Sequence, residues 1–206
     1  MSSVADALAT VRAGGLVVLP TDTVYGLACS PYRPAPVRAL SELKRRTREQ
    51  PIALLAASVD LLLECVPELR GRTAVTARAL LPGSYTLVLP NPARRFPWLA
   101  GDRPDTIGVR VPALEGVARD LLDEVGVLAA TSANLHGGPD PRTVAEVPVE
   151  LRAGAAAVVD GGELPGTPST VLDLTGDRPQ VLREGAVQAV EAVERALAAA
   201  ASSIPG

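Results

Sequence analysis

Apolar residues along this chain fall into short runs separated by turns, and the runs change period as the chain proceeds. Leu16-Val17-Val18-Leu19 is an uninterrupted apolar stretch between Gly14-Gly15 and Pro20, the pattern of a buried strand. Before it, Val4, Leu8 and Val11 share one face of a helix over 4–12, which Ser2 or Ser3 can cap and Gly14-Gly15 ends. After it, 20–27 reads as a polar turn, and Pro31, Pro34 and Pro36 as a loop leading into a helix from 37 to about 45. Further strands are predicted over 52–56, 85–89, 106–111, 127–130, 156–159, 170–174 and 180–183. Helices are predicted over 59–65 with Ser58 as cap, over 73–80 and over 114–124; a small one follows Thr143, and an amphipathic one over 187–200 closes the chain. Strands and helices interleave, yet hairpin-like spacings near 85–110 and 170–183 argue against a purely parallel sheet. The expected fold is α/β, with a twisted, mixed, open sheet flanked by helices.

Composition narrows this picture. With 206 residues and 47% hydrophobic content, the chain can bury a full core as one domain over 1–206, its tail from about 200 being a fraying helix end. Asp60 and Glu64 interrupt the richest apolar run, and Glu191, Glu194 and Arg195 the last helix, so no window reaches the roughly 18 apolar residues of a membrane span. No basic segment precedes an apolar core at the N-terminus, so a cytoplasmic protein without a membrane partner is expected. Cys29 and Cys65 lack metal-binding spacing and read as buried small hydrophobes. A net charge of -3 argues against a wholesale nucleic-acid coat, leaving only a local patch for RNA. The segment 91–105, proline-rich and carrying Arg94, Arg95, Phe96 and Trp98, reads as a surface loop and a lid candidate.

Candidate chemistry begins with one residue. Lys44 is the only lysine; every other basic side chain apart from His136 is arginine. An ammonium is a compact point charge that can follow a phosphate, whereas guanidinium is a rigid fork, so position 44 either needs an ammonium or keeps one by chance. No Walker A, GxGxxG, GxSxG or HExxH motif is present, and the single histidine beside Gly137-Gly138 makes a Ser-His-Asp triad improbable. Polar groups gather at strand ends instead: Thr21, Asp22 and Thr23; Lys44 and Arg46; Arg110; Ser132 and Asn134; Ser169-Thr170; and Arg183. Ligands of open α/β sheets collect outside strand ends, and this set suits a polyphosphate-like anion with a small polar companion. Each part also has a plain reading: Lys44-Arg45-Arg46 with Arg48 as a solvated helix end, Ser132 and Asn134 as turn residues. Taken together they favour a reaction run by positioning and electrostatics, as phosphoryl and nucleotidyl transfer are.

These residues also resemble a known family. Pro20-Thr21-Asp22-Thr23-Val24-Tyr25-Gly26-Leu27, the K-x-R at Lys44 and Arg46 with Pro51 five residues on, the S-x-N at Ser132 and Asn134, and Ser169-Thr170-Val171 followed by Arg183-Glu184-Gly185-Ala186 resemble the YrdC-like family of threonylcarbamoyl-AMP synthases. The resemblance runs from about Gly14 to Ala186. It implies a twisted mixed sheet around a large, positively charged cavity, in the short, single-domain form. It implies a nucleotidyltransferase that joins L-threonine, bicarbonate and ATP into threonylcarbamoyl-AMP and pyrophosphate, with magnesium carried by the nucleotide. A separate transferase complex would then move the threonylcarbamoyl group to tRNA. Residue by residue, it puts Thr23, Arg110, Ser132 and Ser169 around threonine, and Lys44, Arg46, Gln50, Thr106, Asn134 and Arg183 around the nucleotide, with Lys44 and Arg46 offsetting charge on the leaving pyrophosphate.

Three positions depart from the family pattern. Asp22 stands where relatives often have glutamate, and Leu55 where some have a histidine, so an apolar contact must suffice there. Arg142 stands where threonine is common; it is either an additional ATP contact or a side chain facing solvent. Two further functions fit the same residues: a weakly active paralogue, or an RNA- and nucleotide-binding module. An aromatic content of 2% is low for a base-stacking platform and weighs against the second.

Overall fold

The structure is a computed structural model that describes residues 1–47 and 49–201; Arg48 of the cationic run and the expected frayed tail beyond Ala201 lie outside the described residues. Ser3 caps the first helix, α1 (Val4–Ala13), with a full capping box completed by Asp6, and Gly14 ends it in the left-handed conformation. The other helices are α2 (Pro34–Leu43), α3 (Val59–Cys65), α4 (Arg72–Leu80), α5 (Gly116–Val125), α6 (Val149–Gly154) and α7 (Ala189–Ala201). The strands are β1 (Val17–Leu19), β2 (Gly26–Cys29), β3 (Ala53–Ala56), β4 (Tyr85–Pro90), β5 (Thr106–Arg110), β6 (Val127–Ser132), β7 (Ala157–Val158), β8 (Thr170–Asp173) and β9 (Gln180–Arg183). They form one sheet in the order β7-β1-β2-β6-β3-β5-β4-β8-β9. The β1/β7, β3/β5 and β4/β8 pairs are parallel and the other pairs antiparallel, so the sheet is mixed.

Strand alternation divides the apolar residues between two cores. Val17, Leu19, Leu55 and Leu128 point to one face, where Ala7 and Val11 of α1 and Leu121 and Leu122 of α5 cover them. Val18, Leu27, Leu54 and Ala129 point to the other, against Val37 and Leu40 of α2, Leu62 of α3, Leu80 of α4 and Ala196 of α7. With both faces covered, strand residues are apolar in succession rather than alternately, which is why β1 and β3 show as continuous runs.

Several elements differ from the sequence-based expectation. The polar turn over 20–27 ends in strand β2, whose four residues are all buried between β1 and β6. Gly-Leu-Ala-Cys has no β-branched residue, so its strand character comes from pairing on both edges and not from propensity. Helix α2 begins at Pro34, not at 37, because the first-turn N–H groups lack intrahelical partners and proline loses nothing there. Strand β6 runs on to Ser132, bringing the S-x-N motif to a strand end, and the short helix α6 went unread.

The segment 91–105 is anchored, not a free surface loop. Asn91 is fully buried, and its side chain donates to the Arg95 carbonyl and accepts from the Arg95 N–H. Trp98 donates its indole N–H to Pro31 O at 2.8 Å, while Ile52 N–H bonds Leu99 O and Asp102 N–H bonds Glu49 O. Gly101 makes this docking possible: its φ is +65°, and a Cβ there would press into the Glu49 carbonyl and lie 2.9 Å from the Pro51 nitrogen. Gly101→Ala is therefore expected to destabilise the fold by about 2–4 kcal/mol, combining the left-handed penalty with a backbone clash. Urea unfolding should show a lower midpoint at unchanged m-value.

Candidate active site

The strand ends expected to carry chemistry open onto one cavity of about 480 Å³. Thr23, Arg46, Gln50, Thr106, Arg110, Ser132, Ser169 and Arg183 all line it, brought together from β5, β6, β8, β9 and the two stretches following β1 and α2. Among the described residues its lining carries four guanidinium groups, from Arg46, Arg103, Arg110 and Arg183, against one carboxylate, Asp102. Such a surface favours an anion.

The turn after β1 is held by its own threonines. Thr21 Oγ1 donates to Val24 O at 2.7 Å and accepts from the N–H groups of Thr23 and Val24. This sets Thr23, nearly fully buried, with its hydroxyl 3.3 Å from Arg110 Nη2. The same Nη2 donates to Asp22 Oδ1 at 2.6 Å, and Ser84 Oγ donates to the other Asp22 oxygen at 2.9 Å. Arg110 Nε is buried with no hydrogen-bond partner among the described residues. An unsatisfied buried donor on a cation is costly, so an acceptor that reached it would be held firmly. Burial pushes the Arg110 guanidinium below its ordinary pKa; Asp22 opposes that shift and nearby Arg183 adds to it.

On the other side of the cavity, Arg46 donates to Thr131 Oγ1 at 2.8 Å, to Gln50 Oε1 at 3.2 Å and to Pro51 O at 2.9 Å. Gln50 passes on the restraint through its amide to His136 Nδ1 at 3.1 Å. Arg183 donates to Ser169 O at 2.8 Å, and Ser169 Oγ lies 2.8 Å from Thr86 Oγ1. Thr106 donates to Arg103 O at 2.9 Å, while Arg103 pairs with Asp173 at 2.7 Å.

Three sequence-predicted residues sit elsewhere. Lys44 is absent from the lining among the described residues: it is 2% exposed, behind the end of β6, and its Nζ donates to Ser132 O, to Asn134 Oδ1 at 3.1 Å and to Thr131 Oγ1 at 3.3 Å. Three acceptors match the three donors of an ammonium. Burial, with the repulsion of Arg46, pushes Lys44 down to about 7, against the opposing pull of Asp140. Asn134 is also behind the wall, accepting from Ser132 Oγ at 2.7 Å and donating to Gly138 O at 2.6 Å. Arg142 is likewise absent from the lining among the described residues: its half-exposed guanidinium pairs with Glu163 at 2.6 Å and bonds Leu164 O. A neighbouring carboxylate already takes its charge.

Two residues of the site were not expected from the pattern: Thr131, which both Lys44 and Arg46 address, and Arg103 in the lining. Thr131 lay one residue from the S-x-N motif, and its position on β6 was the available signal. Leu55 lines the cavity and is 2% exposed, a purely apolar contact. Among the described residues no group of three or more His, Cys, Asp or Glu could hold a metal ion, and no helix is long and apolar enough to cross a membrane.

Known proteins resemble this chain in sequence and in fold. The chain is 35% identical over 204 residues to a Mycobacterium tuberculosis protein provisionally named a threonylcarbamoyl-AMP synthase, covering 98% of this chain and 93% of that one. It is 34% identical over 189 residues to a threonylcarbamoyl-AMP synthase of Pyrococcus abyssi, of which it spans 55%. The crystal structure of Pyrococcus abyssi Sua5 complexed with L-threonine superposes with a TM-score of 0.85 at 33% identity, over 93% of this chain and 56% of that one. A family model described as "Telomere recombination" matches residues 9–185. With that match spanning the strands, the cavity and the strand-end polar groups alike, the chain belongs to the Sua5/YciO/YrdC family.

Proposed function

We propose that this chain is an L-threonylcarbamoyladenylate synthase, which makes threonylcarbamoyl-AMP and pyrophosphate from L-threonine, bicarbonate and ATP. The observation that carries this reading is Arg110: a buried cation beside Thr23, its Nε without a partner among the described residues, in a cavity that Arg46 and Ser132 also line. A small carboxylate on one side and a polyphosphate on the other satisfy both. Relatives carry the synthase name, and one solved relative holds L-threonine.

In this mechanism Arg110 binds the threonine carboxylate, with Thr23, Ser132 and Ser169 holding the amino acid beside it. The amine nitrogen attacks bicarbonate, hydroxide leaves as water, and a carbamate forms. The carbamate oxygen then attacks the α-phosphorus of ATP, and pyrophosphate departs with the electrons of the broken P–O bond. Arg46, Gln50, Thr106 and Arg183 hold the nucleotide, and Arg46 offsets the charge growing on the leaving group. Lys44 acts from behind the wall, holding the Ser132–Asn134 turn and adding its positive field. No protein nucleophile is required. The described residues offer no carboxylate cage for magnesium, so the ion would arrive on the nucleotide, and no step is assigned to it. The product would pass to a transferase complex acting on tRNA in the cytoplasm.

The test is pyrophosphate release by the purified chain with ATP and magnesium. Release that needs both L-threonine and bicarbonate is expected. ATP hydrolysis indifferent to either co-substrate, or no release from folded protein, would overturn the reading.

A further inference from the structure

We infer that Asp22 is a positioning residue that holds the Arg110 guanidinium so that its free edge, and not the whole fork, meets the carboxylate of the amino-acid substrate. The inference rests on the synthase reading above.

Asp22 does not belong to the cavity lining: its side chain is 6% exposed, behind Arg110. Both of its oxygens are engaged, Oδ1 by Arg110 Nη2 and Oδ2 by Ser84 Oγ. Ser84 is itself fixed, its carbonyl accepting the Thr170 N–H at 3.0 Å. Strand β5 fixes the Arg110 backbone opposite Leu55 of β3, but a strand position fixes only where the side chain starts. The long arginine stem keeps several torsions and much rotamer freedom. A short charge-assisted bond from Nη2 to an immobile carboxylate removes that freedom, and Nε is without a partner among the described residues. The two charges also compensate each other in a site with little water, so Arg110 is a weaker trap for phosphate than an isolated guanidinium would be. A carboxylate that fits the free edge is thereby favoured over the phosphates of the neighbouring nucleotide.

The experiment compares L-threonine with L-threoninamide, which keeps the amine and lacks the carboxylate charge, in pyrophosphate release. In Asp22→Asn, KM for L-threonine should rise about 10- to 100-fold while KM for ATP stays within about twofold, and the preference for threonine over threoninamide should fall by the same factor. Inorganic phosphate should become a better inhibitor, a change that a merely structural loss does not produce. Asp22→Glu, which keeps the charge, should recover most of the preference. Ser84→Ala, which removes only the brace, should show the same shifts at about threefold and covers the case in which Asp22→Asn folds poorly. Unchanged preference in Asp22→Asn and Ser84→Ala, with preference lost in Arg110→Ala, would overturn the role of Asp22 and leave Arg110 as the carboxylate ligand. Unchanged preference in Arg110→Ala would overturn both.

Discussion

Lys44→Ala is expected to lower pyrophosphate release about 10²- to 10³-fold, the loss seen when one preorganised donor or charge is removed from a site of developing anionic charge. The size of the effect follows from what Nζ holds. Its three acceptors, Thr131 Oγ1, Ser132 O and Asn134 Oδ1, belong to the end of β6 and the turn after it. Alanine would take the donor from Ser132 O, leave Thr131 Oγ1 to Arg46 alone and Asn134 Oδ1 to Ser132 Oγ alone, and loosen the turn that places Ser132 at the cavity. Lys44→Arg should rescue little, because the side chain is 2% exposed and a planar fork does not fit a three-acceptor pocket shaped around an ammonium.

The same residue has a signature in stability. Its pKa is about 7 in the folded chain, below the ordinary value of 10.5, so between those limits the unfolded chain binds more protons. Stability contributed by this group therefore rises with pH from about 7 to about 10.5, and is at its lowest below 7, where both states are charged. Lys44→Met removes that dependence. Urea titrations at pH 6.5 and 9.5 should show the wild type gaining on Lys44→Met as pH rises; a constant difference would mean that the ammonium is not under strain from burial.

Lys44 also shows how far a sequence can be read. That it was singular was visible in the composition, and that it stood near a helix end was visible in the pattern. Its place behind the cavity wall was not, because the three acceptors lie 87 to 90 residues away and the pairing of β6 between β2 and β3 brings them near. The strand-end residues were legible for a simpler reason. Where an apolar run stops, the next side chain is free to be polar, so Arg110, Ser132, Ser169 and Arg183 could be assigned to strand ends from local pattern alone; that β5 and β6 run in opposite directions across β3, with Ser132 lying toward Thr106 and away from Arg110, could not. The pairing of Arg142 was out of reach for the same reason: its partner, Glu163, is 21 residues on, in a stretch without periodicity. Strand β2 failed because its signal is its neighbours, not its own residues. What stayed hidden was long-range electrostatics and pairing, and the Asp22–Arg110 pair, 88 residues apart, is of the same kind.

That pair sets the second large effect. Arg110→Ala is expected to weaken L-threonine binding at least about 10²-fold, since truncating one member of a buried, hydrogen-bonded charge pair typically costs 2–5 kcal/mol. It should also lower stability by about 3–5 kcal/mol, because the Asp22 carboxylate would remain buried without its cation. The two losses have different origins and can be separated. In Arg110→Ala/Asp22→Ala the stranded charge is gone, so much of the stability should return, while threonine affinity should not, because the guanidinium that lines the cavity is still missing. Isothermal titration with L-threonine, alongside urea unfolding of both variants, reads the two quantities independently. Recovery of threonine binding in the double variant would mean that Arg110 contributes only by neutralising Asp22, and the carboxylate site would have to be sought at Arg46 or Arg183 instead. Arg110→Lys sharpens the distinction: an ammonium can still neutralise Asp22, so stability should be largely kept, but a single point charge cannot serve the aspartate and a ligand carboxylate along two fixed directions as guanidinium does.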